Sequence, residues 1–413
     1  MPPLLVLALL SAPPPERVAL VFGGDIIPHG GVKTAASDHA LREPGVKGPP
    51  RSLNHEGWDH VFAPLAEVLR SADLAMVNLE TPISGDKRAR LGELLFDAPP
   101  ALAQALAAAG VDAVSIANNH ALDQHREGIQ ATWAHLNAAG VKPLGSAPSE
   151  AAAWEPVVFE VRGMRVGLLS LTRWLNEFRN PAEPDVSPQV AYVPYMKKPG
   201  TWQSVPQAVE LVRAAARRCD ALLVSVHWGI EYSHTPRPED QEFAHALLEA
   251  GALAIIGHHP HVLQPIERYR TASGRDTLVA YSLGNLVANQ DWHYVHGARA
   301  EAQGRKRDSL LLRLVLTRPQ PGAAVALEGL EVLPVWIDNH PLRPPGARRV
   351  THHLQPVLLD EELAALPSRL QGLPTPQRAE PRQVREERVA LERRLDLVQR
   401  RRKLILQITQ RPL

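Results

Sequence analysis

His259-Pro260-His261 sets two imidazoles one residue apart, with a proline between them to stiffen the loop that carries them. Neutral imidazole is the commonest protein metal ligand, so the pair can converge on one cation. His258 adds a third imidazole, expected to point elsewhere. Asp25 follows Gly23-Gly24, which lets the backbone turn tightly and expose the carboxylate. His29, four residues later, could supply another nitrogen. Glu80 lies in Asn78-Leu79-Glu80-Thr81-Pro82 and offers a carboxylate able to bridge two ions; the Thr-Pro pair disfavours a helix running through it. Asn118-Asn119-His120 sets an amide beside an imidazole. Consecutive residues do not readily share one ion, so Asn119 reads as a ligand and His120 as an acid or charge stabiliser above the substrate. His227 closes a wholly apolar run ahead of Trp228-Gly229, and Glu231, Tyr232 and His234 in the same loop could line a pocket. Arg173 and Arg237 could meet an anionic substrate.

Each residue alone has a plainer reading. Asp25 could cap a helix or sit in a turn, Glu80 could be a solvated strand end, Asn118 could close an Asx-turn, and a lone His227 could be structural. Their positions favour a common purpose. Six apolar runs end in Asp, Asn or His motifs: Val18–Phe22 before Asp25, Leu74–Val77 before Asn78, Ala113–Ala117 before Asn118, Ala221–Val226 before His227, Leu253–Gly257 before His258, and Leu278–Leu283 before Gly284-Asn285. Buried strands of an α/β sheet present ligands at the rim outside their carboxyl ends. The chain has one cysteine, Cys219, so neither an intramolecular disulfide nor a Cys-rich zinc motif can form. A donor set of imidazole, carboxylate and amide suits Zn, Mn or Fe.

The elements that must hold these residues follow from periodicity and punctuation. Helices are predicted over His60–Ser71, Pro100–Ala109 before Gly110, Glu127–Ala139 before Gly140, Pro206–Arg218, and Pro238–Ala250 before Gly251. Val157–Leu171 reads as a hairpin about Arg162-Gly163. Val262–Tyr269, Thr277–Ser282, Ser309–Thr317 and Val325–Val335 read as strands without intervening helices. The fold class is α/β with two packed mixed sheets and helices outside. Leu41–Asn54 and Arg179–Pro199 read as loops, and Pro341–Gln383 as linker and short helix without a core period.

At 413 residues the chain can bury a full core. A net charge of +1 gives no global field for nucleic acid, and no nucleic-acid partner is expected. The expected organisation is a possible signal segment or tail at 1–15, a main domain at 16–338, and a Pro/Arg-rich linker with an amphipathic basic helix at 339–413. Leu4–Leu10 is too short to span a bilayer and resembles a secretory core lacking a basic start. Export to the cell envelope is the expected location, with the cytoplasm as the alternative. Val384, Leu391, Val398 and Ile405 recur at heptad spacing opposite a basic face. That helix either packs on the main domain or touches a partner or an anionic membrane surface.

The motifs together resemble the capsule-synthesis CapA family, also called the poly-γ-glutamate synthesis family, within the calcineurin-like metallophosphoesterase superfamily. The resemblance rests on Gly24-Asp25, Asn78–Pro82, Ala117–Asp123, His227–Tyr232, Gly257–Val262 and Ser282–Asn285, in family order over roughly residues 18 to 290. It implies a four-layer α/β sandwich and two divalent transition-metal ions; the C-terminal helical extension expected here comes from the heptad pattern, not from the resemblance. On that pattern Asp25, with His29, joins His261 on one ion; Glu80 bridges; Asn119, His227 and His259 hold the second; His120 takes the acid position. The chain departs from the superfamily in the Asp25-to-His29 spacing, where Asp-x-His is usual, and in having Glu where Asp usually bridges. The implied activity is hydrolysis by a two-metal-activated water in capsule or poly-γ-glutamate-type polymer synthesis or export, on a phosphoester, peptide-like or anionic polymer substrate, with envelope biosynthesis partners. The alternatives are an amide hydrolase, a Cα epimerase, or a non-catalytic envelope assembly factor.

Overall fold

The structure is a computed structural model that describes residues 15–40, 55–86, 94–342, 351–375 and 380–412. The readings of Leu41–Asn54 as loop and of residues 1–14 as a leader or tail lie outside the described residues. The chain begins β1 (Glu16–Ile26), α1 (Gly30–His39), α2 (Trp58–Phe62), α3 (Ala66–Ser71), β2 (Leu74–Leu79), α4 (Ala101–Ala109), β3 (Ala113–Ser115), α5 (His125–Ala139) and β4 (Lys142–Leu144). It continues β5 (Ser146–Ala147), α6 (Glu150–Ala153), β6 (Val157–Val161), β7 (Met164–Thr172), β8 (Gln189–Val190), α7 (Val205–Ala216), β9 (Ala221–His227), α8 (Pro238–Glu249) and β10 (Ala252–His258). It closes with β11 (Ile266–Arg270), β12 (Asp276–Ala280), β13 (Asn285–Val287), β14 (Asp308–Arg318), β15 (Ala326–Leu342), β16 (Thr351–Leu358), α9 (Leu359–Gln371) and α10 (Arg382–Thr409).

One sheet runs in the order β16-β15-β14-β1-β2-β3-β4, with β13 also paired to β1; the other runs β11-β12-β10-β9-β7-β6. Both are mixed. β1, β2, β3 and β4 are parallel, as are β7, β9, β10 and β12, so their carboxyl ends gather at one rim. The side-chain period of two builds the layers. On β1, Val18, Leu20 and Phe22 face a core shared with Val166 and Leu168 of β7, Leu223 of β9 and Ile256 of β10. Val21 and Ile26 face the opposite core, against α1, α2, α4 and α5. Leu169, Leu171, Val224 and Ile255 face a third core beneath α7 and α8. Helices, sheet, sheet and helices thus stack as four layers, held by burial worth about 1.5–3 kcal/mol per large apolar side chain.

Local chemistry explains the punctuation. Gly110 and Gly140 end α4 and α5 in left-handed conformations, and their N–H groups return to the last helical carbonyls. Arg162 and Gly163 both take positive φ, the turn that matches hairpin twist. Ser204 and Gln207 form a reciprocal cap on α7.

Two expectations need correction. The single helix over His60–Ser71 is two, α2 and α3, split by a 3₁₀ turn at Ala63–Leu65 where Pro64 brings no N–H. The stretch Pro341–Gln383 is not merely linker and short helix. Thr351–Leu358 is a sheet strand paired antiparallel with β15, which itself runs to Leu342. As an edge strand it opens with the half-buried polar residues Thr351, His352 and His353 and buries only Leu354, Pro356 and Leu358, so its apolar run is short and late. The C-terminal helix packs on the main body: Leu391, Leu397, Val398, Ile405 and Ile408 enter the core between the sheets. Among the described residues no helix is long and apolar enough to cross a membrane.

Candidate metal centre

The site forms where the two sheets meet at their parallel carboxyl ends. The first sheet supplies Asp25 near the end of β1, Glu80 just past β2 and Asn119 past β3. The second supplies His227 as the last residue of β9, His258 as the last of β10, and His259 and His261 beyond it. Two glycines permit the approach. A Cβ on Gly24 would lie 2.0 Å from the Gly284 carbonyl oxygen, and one on Gly257 would lie 1.9 Å from that of Tyr281. His259 and His261 take φ of 96° and 56°, a left-handed geometry that non-glycine residues avoid and that aims both rings inward.

Glu80 is at the centre. Its carboxylate is fully buried, and neither oxygen has a hydrogen-bond partner. His227 Nε2 lies 3.7 Å from Glu80 Oε1, and His261 Nε2 lies 3.8 Å from the same atom. His227 Nε2 also lies 2.8 Å from Asn119 Oδ1. Asp25, Glu80 and His227 bring one donor atom each within 4.8 Å of one another, and so do Glu80, His259 and His261. Glu80 is common to both triplets.

Neighbouring groups fix these donors. Asn78 Nδ2 donates to Asp25 Oδ1 at 2.8 Å. The His259 backbone N–H donates to Asp25 Oδ2 at 3.3 Å. His261 Nδ1 lies 3.1 Å from Asn285 Oδ1 and 3.3 Å from Asp25 Oδ2, which leaves its Nε2 for Glu80's side. Asn176 Oδ1 accepts from Asn119 Nδ2 and Trp174 Nε1, which turns the Asn119 oxygen toward His227. Such partners set ligand orientation and basicity.

The electrostatics suit a cation. Burial, reinforced by the charges of Asp25, Glu231 and Asp123, pushes the Glu80 carboxyl well above its ordinary range. Burial also tends to raise Asp25, but hydrogen bonds from His258 and His261 carry it well below. Burial lowers His227 well below the usual imidazole value and takes His259 to about 3, helped in each case by a neighbouring histidine. These imidazoles are therefore neutral, the ligating form. A buried carboxylate without hydrogen bonds is costly, and His259 Nδ1 is likewise buried and unbonded. The residues present fit a divalent cation on both counts.

His29 belongs to neither triplet. Its Nδ1 accepts from the Asn289 N–H at 3.4 Å, and its ring meets Phe96 edge-on at 5.3 Å. Burial, with the charges of His261 and His120, lowers it to about 4. His120 stands beside the donors. Its Nδ1 lies 2.8 Å from Asp123 Oδ2, and its ring packs on Phe96 at 4.3 Å. His120, Asn119, Trp174 and Phe178 line a cavity of about 410 Å³. A neighbouring one of about 300 Å³ is lined by Asn119, His259, Trp174, Glu231 and Arg237.

Reasoning from residue types and spacing assigned no role to Asp123, Asn78, Phe96, Trp174 or Asn176, and left Asn285 without chemistry. Asp123, three residues after His120 within one tight turn, carried a readable signal. His258, expected to point elsewhere, also turns to Asp25, its Nδ1 3.2 Å from Oδ1. Arg173 is spent inside the fold, 3.5 Å from Asp240 and stacked over Tyr195.

The family model for bacterial capsule synthesis protein PGA_cap matches residues 19–290, which contain every donor above. The chain belongs to this family. It is 27% identical over 298 residues to the PGA biosynthesis protein CapA of Bacillus subtilis (strain 168), covering 71% of this chain and 69% of that protein. It is 27% identical over 249 residues to the capsule biosynthesis protein CapA of Bacillus anthracis, covering 58% of this chain and 56% of that one. A protein of Mycobacterium tuberculosis named a probable polyglutamine synthesis accessory protein is 27% identical over 353 residues, covering 76% and 84%. The PGA_cap match ends at Gln290, so β14, β15, β16, α9 and α10 lie beyond it.

Proposed function

We propose that this PGA_cap family member is a metal-dependent hydrolase with two divalent transition-metal ions. Asp25, Asn119, His227, His259 and His261 would hold the ions and Glu80 would be shared; the two donor triplets group Asp25 with His227 and His259 with His261, not in the split the family pattern implies. The observation that carries the reading is the fully buried Glu80 carboxylate, unbonded on both oxygens and common to both donor triplets. When bound, two such ions supply Lewis-acid polarisation of a substrate oxygen and a lowered pKa for water.

The remaining steps belong to the chain's own residues. Asp123 engages Nδ1 of His120, so Nε2 is the nitrogen that meets a leaving oxygen and gives it a proton. Phe96 covers one face of that imidazole and excludes water from it. Asn176 holds the Asn119 amide in its ligating orientation. Two cations stand at the rim: Arg237 in the smaller cavity, ion-paired with Glu239 and stacked on Tyr195, and Lys198, 4.2 Å over the Trp174 ring.

A phosphoester is the first substrate class. The test is turnover of phosphomonoesters and phosphodiesters by purified protein loaded with Mn or Zn; metal bound with no turnover of either ester would sink the phosphoesterase form. The two cations at the rim favour a second reading on the same site, cleavage of γ-linked amides in a carboxylate-rich polymer. Two relatives named for capsule or PGA biosynthesis support that choice of polymer. Release of free amine from γ-glutamyl polymers, measured beside deuterium exchange at Cα, separates amide hydrolysis from epimerisation. The cell envelope, where such polymers are handled, is the proposed location.

A further inference from the structure

We propose that His39, His60 and His353 form a separate binding site for a divalent transition-metal ion of the zinc class. His39 is the last residue of α1, His60 lies in α2 and His353 in β16. Each offers one ring nitrogen, and the three lie within 4.8 Å of one another. Three imidazoles from three separate elements converge here with no carboxylate among them.

A second observation points to a ligand. His60 Nε2 is buried and has no hydrogen-bond partner, although a ring nitrogen removed from water without one is destabilising. The His39 and His60 rings stack at 3.6 Å and 17°. Two imidazoles that close repel if both are protonated, which favours neutral rings; near-parallel rings do not both aim an in-plane nitrogen at one point, so binding an ion requires one of them to turn. Tetrahedral coordination at zinc–nitrogen distances of 2.0–2.1 Å needs nitrogens about 3.3 Å apart. The candidate nitrogens already lie within 4.8 Å of one another, so that spacing is reached by turning side chains, with the stacked His39 and His60 rings swinging apart.

The surroundings fit such a site. Asp338 Oδ2 lies 3.8 Å from His353 Nε2, a carboxylate placed to orient the ring. The Gln355 side chain donates to the His60 carbonyl at 2.5 Å, fastening α2 to β16 independently of any ion. All three histidines are only partly buried, so a fourth position would be open to water or an external ligand. An all-imidazole set selects Zn, Ni, Cu or Co over Mg or Ca. The site shares no residue with the Glu80 centre, and β16 is three strands from β1 in the sheet. A bound ion would tie the far end of α1, whose near end adjoins His29, to the sheet edge.

The direct test is anomalous diffraction at the zinc edge from crystals of the full wild-type chain grown with Zn²⁺. A peak bounded by His39, His60 and His353 is expected. Its absence, with zinc present at the Glu80 centre, would overturn the proposal. In solution, His60→Gln with His353→Gln should lower bound zinc by one equivalent relative to wild type, with circular dichroism unchanged. An unchanged zinc count in the folded double variant would overturn it equally; if that variant unfolds, the wild-type crystal decides.

Discussion

Glu80 and His120 carry different kinds of chemistry, and substitution should separate them. Glu80→Gln keeps shape but removes the shared negative charge, so bound metal and hydrolysis should both fall, the latter by about 100-fold or more. Elemental analysis beside an assay checks this. His120→Asn should leave the metal content unchanged and cut kcat by roughly 10²–10⁴-fold, the range for a lost proton donor. Asp123→Asn acts through His120: turnover should drop about 10–100-fold and the pH–rate profile should move, whereas a merely structural role would leave the profile in place. At this scale the donors were legible because each follows an apolar run. The residues that aim them were not. Asn176 reaches Asn119 from a loop distant in sequence, and nothing local marks the contact; Asn285, at the start of β13, was marked as a run ending, but its contact with His261 was not readable.

At the scale of elements, strands buried on both faces read clearly, since each is an unbroken apolar run with a polar ending. β16 did not, because an edge strand facing helices on one side and half-open on the other needs few apolar residues. The C-terminal helix was legible as an amphipathic stripe, but its docking depends on Arg401, a charged residue no hydrophobic pattern includes. Arg401 is 1% exposed and its Nη1 lies 3.2 Å from Asp308 Oδ2. Burial pushes the Asp308 carboxyl up to about 7, against the pull of Arg401. A raised folded value means stabilisation that is complete below the unfolded carboxyl range, near pH 4, and lost as pH rises toward 7. Unfolding free energies of wild type from denaturant titrations should therefore fall over that window through this group, by an amount on the order of a few kcal/mol, and Asp308→Asn should flatten the slope. An equal slope in both proteins would refute the assignment. Val398→Ala, in the same helix, should cost about 1–3 kcal/mol through the cavity it leaves between the sheets.

Across the whole molecule, the candidate centre joins the two sheets. Asp25, Glu80 and Asn119 come from one, and His227, His259 and His261 from the other, so an ion held by both would lock the rim that their shared core leaves open. Chelation should lower the thermal midpoint and readdition of Mn or Zn should restore it; about 2.7 kcal/mol is expected when free metal is 100-fold above its dissociation constant. The four layers were foreseen from alternating strands and helices together with the family resemblance. Beyond the PGA_cap match, β14 and most of β15 were foreseen as the strands Ser309–Thr317 and Val325–Val335, whereas the last strand of the first sheet, β16, needed the structure. The most direct measurement is the metal content of the full chain after reconstitution and gel filtration, taken with and without Glu80→Gln on a shared His60→Gln/His353→Gln background. Two equivalents are expected without Glu80→Gln and one or fewer with it; equal metal content in the two folded proteins would contradict a Glu80-centred dinuclear site.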